Sequence, residues 1–274
     1  MNPLRLFLVS AFLGSMACSH AGAQTVVTSS KQRINLADTE VRGDRLIQKK
    51  KLPEGGFVEI GVPLSTITSV EWPLPPELSA AEAEVEQGSP LAAVPALRRQ
   101  AALHAPFRHA EGSHWLRAQV AFVRALAGAG LPDEAERELK QLKTGKPPAD
   151  ILPGLELDIL LARASAGDWN TFAPRFAALR EAGLTEDASA RLWLAQAEHD
   201  RRRGQPEKAL FAFLQVTVFH PRSETAQPAA LLGAIRCYRA LGETEQARLA
   251  TEEILRRFAD TPEASTASKE IPSV

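Results

Sequence analysis

The chain has 274 residues, of which 45% are hydrophobic, 24% charged and 6% aromatic, and its formal net charge is −1 at pH 7. This balance excludes a wholly disordered, collagen-like or polytopic membrane protein, and it lacks the basic footprint of a nucleic-acid binder. Two cysteines, Cys18 and Cys237, cannot staple a disulfide scaffold.

Arg5 precedes an apolar run from Leu6 to Ala17, shorter than the roughly 20 residues a membrane-spanning helix needs. Ala21-Gly22-Ala23 then fits the small-x-small pattern of leader cleavage. Residues 1–23 are therefore expected to be a signal peptide cut after Ala23, leaving a periplasmic or secreted protein. The alternative is an outer-membrane lipoprotein anchored at Cys18, although Ser15 stands where such signals normally carry leucine. Apart from that anchor, no membrane contact is expected. Cys237 lies in the apolar helical pattern Leu231 to Tyr238, which predicts a buried thiol.

Residues 24–74 are rich in β-branched residues and turn formers. Thr25–Thr28, Arg45–Gln48, Phe57–Ile60 and Ile67–Trp72 show the partial alternation of half-buried strands, with a turn signal at Pro53-Glu54-Gly55-Gly56. Four or five short strands predict a small barrel or curled sheet. Trp72-Pro73-Leu74-Pro75-Pro76 ends that pattern, because proline removes ladder donors and fixes φ.

From residue 75 to 265 the texture is alanine-rich and helical. Gly130, Gly167, Gly204 and Gly242 recur at steps of 37, 37 and 38 residues, and Ala135, Phe172, Ala209 and Ala247 follow each by five. A weaker copy, Gly88 then Ala93, precedes them. Evenly spaced glycine-then-small marks predict repeated helical hairpins, each a helix, a glycine turn and a second helix packed back on the first. Residues 266–274 are short, polar and terminal, and are expected to be a disordered tail.

The fourth hairpin, counted from Ala190, carries Trp193, Ala197, Gly204, Ala209, Phe213 and Pro221; the fifth carries Tyr238, Gly242 and Ala247. In these residues the chain resembles the tetratricopeptide repeat (TPR), although its period exceeds that family's 34, the second and third hairpins are degenerate, and Phe172 replaces a small residue. Residues 209–262 are also similar to the repeats of bacterial envelope proteins such as the Tol–Pal cell-division coordinator and the outer-membrane β-barrel assembly lipoprotein. The resemblance implies a mainly α fold, an α-solenoid of about five TPR-like hairpins after a small all-β unit. It also implies a non-catalytic scaffold or adaptor of the cell envelope.

Within that resemblance, the first helix of each hairpin lines a concave surface. The mapping places Arg117 and Arg124 there from the second hairpin, Arg191, Arg201 and Arg202 from the fourth, and Arg236 and Arg239 from the fifth. Leu157, Leu161, Ala164 and Ser165 of the third form an apolar gap. Guanidinium forks match carboxylates, so the expected partner is another envelope protein or an acidic or C-terminal peptide segment. The alternative is an accessory protein that binds glycan or peptidoglycan through the β unit. The oligomeric state is left open.

His104, His109 and His114 are spaced by five. Five helical residues turn about 500°, which carries successive histidines off a common face. The i,i+4 spacing of a helical metal site is absent, and Pro106 and Gly112 predict solvated loop histidines. Glu134, Glu136, Glu138 and Lys140 read as a solvated helix face. No catalytic elbow, phosphate loop or dinucleotide fingerprint occurs, so no catalytic residue, metal or cofactor is assigned.

Overall fold

The computed structural model describes residues 24–270; the expected signal peptide and Cys18 lie outside them. The chain divides into two compact units, one of residues 24–73 with 109–113 and the other of residues 74–108 with 114–270.

The first unit holds six strands, β1 (Thr25–Thr28), β2 (Arg33–Asn35), β3 (Thr39–Arg42), β4 (Arg45–Lys51), β5 (Phe57–Pro63) and β6 (Ile67–Glu71). They form two antiparallel three-stranded sheets, ordered β2-β1-β6 and β3-β4-β5, where the sequence predicts a small barrel or curled sheet. In the first sheet Val26 stands opposite both Ile34 and Val70, and all three are buried. In the second, β4 and β5 are joined by the Pro53–Gly56 turn, where Gly55 and Gly56 take φ of 90° and 89°. Residues 109–113 return to this unit. The Val70 amide donates to the Glu111 carbonyl at 2.7 Å, and the Glu111 amide donates to Thr68 at 3.0 Å. Gly112 sits so close to β6 that a Cβ would fall 2.3 Å from the Val70 carbonyl oxygen, so only glycine fits.

The second unit is helical. Its elements are α1 (Pro76–Glu86), α2 (Pro90–His104), α3 (Trp115–Gly128), α4 (Pro132–Thr144), α5 (Ile151–Ser165), α6 (Phe172–Arg180), α7 (Glu186–Arg202), α8 (Pro206–Phe219), α9 (Gln227–Ala240), α10 (Thr244–Arg257) and α11 (Pro262–Glu270). The periodic glycines fall between α1 and α2, α3 and α4, α5 and α6, α7 and α8, and α9 and α10, all with φ between 67° and 84°. A Cβ at any of them would meet nothing within 4 Å, so the requirement is backbone conformation rather than space. After three of the turns a proline opens the next helix, at Pro90, Pro132 and Pro206, where its missing N–H would have no helical partner anyway.

Each helix from α1 to α11 packs against the next, and the odd-numbered helices also pack on one another in series, α1 on α3, α3 on α5, α5 on α7, α7 on α9 and α9 on α11. Ala93, Ala135, Ala209 and Ala247 are buried where the even helices meet their partners, and Phe172 is fully buried in the equivalent slot. Successive hairpins interlock closely: a Cβ on Gly233 of α9 would lie 2.3 Å from the Phe213 ring of α8. Gln227, fully buried at the start of α9, donates its Nε2 to the Val216 and His220 carbonyls at 2.9 and 3.0 Å and so satisfies the end of α8. Over residues 266–270 the expected disordered tail gives way to α11, which buries Ala264 and Ala267 beside α9; residues 271–274 lie outside the described residues. The Cys237 thiol is buried, and that burial raises its pKa.

Candidate functional site

The odd-numbered helices carry all seven arginines of the expected basic stripe, but six of them already hold carboxylates. Arg117 of α3 forks Glu82 of α1 through two bonds of 2.7 Å. Arg191 of α7 reaches Asp158 of α5 at 2.9 Å, and Arg124 of α3 approaches the other oxygen of the same carboxylate at 4.0 Å. Arg201 and Arg202 both bond Glu198 at 2.8 Å, and Arg236 of α9 reaches Glu270 of α11 at 2.5 Å. Arg239 is exposed, and its charge helps to lower the pKa of Glu270, after the larger effect of Arg236. The stripe is thus a set of ion pairs, four of them crossing between odd helices and two within α7, and it is far less basic than the arginines alone suggest.

The expected apolar gap in the third hairpin is also corrected. Leu157 and Ala164 point into the core, whereas Asp158, Leu161 and Ser165 share the outer side of α5. Asp158 carries no local sequence mark of this role. Its signal was distance along the chain, since Arg117–Glu82, Arg191–Asp158 and Arg236–Glu270 are separated by 35, 33 and 34 residues, close to one repeat.

Around Asp158 the face is hollowed. A depression of about 580 Å³ is lined by small and apolar groups from three helices, among them Val85, Ala127, Gly128, Leu161 and Ala162, with Arg124, Asp158 and Arg191 at its edge. Two guanidinium groups share one carboxylate here, which leaves the triad with a net positive charge beside an apolar floor. Such a place takes a second carboxylate with little reorganisation.

The residues assigned to repeat packing take several positions. Ala135, Phe172, Ala197, Ala209, Phe213 and Ala247 are buried, Trp193 and Tyr238 are half-buried, and Pro221 is exposed after the end of α8. The solvated face expected on α4 is corrected as well. Glu134 pairs with Arg98, Glu138 accepts from Gln119, and Glu136 bonds Arg163 and Arg175 at 2.8 and 2.5 Å. Burial alone would raise the Glu136 pKa, but those two arginines outweigh it and hold the carboxyl below its ordinary range.

The histidines separate. His109 is exposed, whereas His104 ends α2 fully buried, contrary to the solvated loop expected of all three. Because α2 stops there, the chain doubles back and sets the His114 ring 5.5 Å from the His104 ring, edge to face. Burial, and secondarily the charge of His114, lowers the His104 pKa to about 4, so it is neutral at pH 7. Among the described residues no group of three or more His, Cys, Asp or Glu side chains is arranged to hold a metal ion. No described helix is long and apolar enough to cross a membrane. No family model matches the chain, and no curated protein matches it either.

Proposed function

We propose that this protein is a non-catalytic adaptor of the bacterial cell envelope. In this reading the five hairpins stack as a TPR-like α-solenoid, and the side made by the odd-numbered helices is its concave face. Each hairpin alone leaves an apolar side uncovered, so serial stacking supplies stability and a long surface for a partner. The serial packing of odd helices supports the arrangement. The observation that carries the binding assignment is the Arg124–Asp158–Arg191 triad over its apolar depression. It fits an extended segment of a partner protein that brings a carboxylate, either a terminal one or an acidic side chain, to the two guanidinium groups.

The test is affinity capture from envelope extract with the purified protein as bait, beside the Arg124→Glu/Arg191→Glu double variant. A partner retained by the wild type, released by salt and lost in the double variant with helical circular dichroism unchanged is the expected result. Equal capture by both proteins overturns the assignment of the triad.

A further inference from the structure

A second hollow, of about 480 Å³, lies between α6 and α8, and its floor is one side of α7. Trp193, Gln196 and Asp200 form the floor, spaced by three and four residues so that all three share a helix face. Phe176 from α6 and Phe211 from α8 flank the indole edge to face, with ring centroids 5.1 and 6.4 Å away. Phe211 keeps 58% of its surface in solvent, so its ring is open to a ligand in the hollow.

Asp200 is the other unusual component. Its side chain is only 9% exposed, yet among the described residues Gln196 Nε2, at 2.7 Å, is the one side-chain hydrogen-bond donor to it, with His199 Nδ1 3.5 Å away. A carboxylate can accept about four hydrogen bonds, so Asp200 retains acceptor capacity where it lines the hollow. The remaining charges balance: Asp200 and Glu207 face Arg180 and Lys208 around the same opening. A cation would meet the two basic groups and an anion the two carboxylates. A purely apolar ligand would cover the remaining acceptor sites of Asp200 without supplying a donor, which is unfavourable. The occupant that satisfies all three conditions is neutral, has apolar ring faces for the aromatic side chains, and carries groups that both donate and accept.

We propose that the hollow over Trp193, Gln196 and Asp200 binds a neutral saccharide. Its C–H faces would stack on the rings of Trp193 and Phe211. Its hydroxyls would donate to Asp200 and Glu207 and accept from Lys208 and Arg180. The site shares no residue with the Arg124–Asp158–Arg191 depression, so the two assignments stand or fall separately.

The purified protein is titrated with chitotetraose, cellotetraose and maltotetraose by calorimetry and tryptophan fluorescence, with a neutral Gly-Ser octapeptide as control. One of the saccharides is expected to bind with a Kd of roughly millimolar or tighter and to shift the emission. Phe211→Ala, at an exposed position, and Asp200→Asn should each weaken that binding roughly tenfold, and Leu91→Ala, at an exposed apolar position on α2, should leave it unchanged. The proposal is overturned if none of the saccharides binds at that level, if binding ignores both Phe211→Ala and Asp200→Asn in folded variants, or if the octapeptide binds equally well.

Discussion

The α5/α6 and α7/α8 hairpins turn at glycines of similar backbone, with φ of 84° at Gly167 and 67° at Gly204. Five residues later one hairpin carries Phe172 and the other Ala209, and both side chains are fully buried. The methyl group of Ala209 lets α8 lie close along α7, and α8 runs for 14 residues. The ring of Phe172 must be housed between helices, where it stacks with Phe176 and His199, and α6 runs for only nine residues. The hairpin with the large residue at its closest approach is thus also the one with the shorter second helix, and the hairpin is kept. The hollow floored by α7 lies beside this short helix.

This contrast can be broken most severely by emptying the slot. Phe172→Ala should cost about 3–5 kcal/mol, because it removes a fully buried ring from a site stiffened by its aromatic neighbours. Urea denaturation measures the loss, and hydrogen exchange should show α6 opening first. A cost below about 1 kcal/mol would mean that α6 does not depend on that ring. The reverse change, Ala209→Phe, imposes the third hairpin's residue on the fourth. Without a shortened α8 to receive it, overpacking should cost about 1–3 kcal/mol, again read from the urea midpoint. Acid probes the first hairpin instead. The folded pKa of His104, near 4, lies below its ordinary 6.5, so the unfolded chain takes up the proton first. Stability is then full above about pH 6.5 and declines as pH falls toward 4, by about 2 kcal/mol at pH 5. His104→Gln should flatten that decline, and an unchanged slope would assign it to other groups. The smallest effects sharpen the likeness of the two turns. Gly167→Ala and Gly204→Ala should each cost about 1–2 kcal/mol, since both need positive φ and neither lacks space for a methyl group. Clearly unequal losses would show that the two turns are not equivalent.

What the sequence disclosed follows the reach of each signal. The glycine turns were legible because positive φ has one cheap solution, and it recurs at a fixed step. Strands β1, β4, β5 and β6 showed alternation, whereas β2 has only three residues and β3 buries none of its four, so neither shows a period. Helix α11 was missed because its only apolar marks are Ala264 and Ala267, small residues in a polar run. The arginines of the odd helices were found, but their partners Glu82, Asp158 and Glu270 lie one repeat away, and composition does not say which charges face each other. Asp200 and Phe211 gave no signal at all, since a hollow is made by the absence of side chains around them. The double hydrogen bond at Glu111 was equally hidden, because nothing local in 109–113 marks a strand.

That last pairing sets an order of events during synthesis. The ribosome releases β6 early, but its partner segment emerges only after α1 and α2 have been made. Until residue 113 is out, the backbone of Thr68 and Val70 on β6 must be satisfied by water or by chance neighbours. The part of the molecule translated first is therefore among the parts finished later. A chain stalled or cleaved before residue 109 would carry a bare strand edge, the kind of surface on which nascent chains adhere to one another.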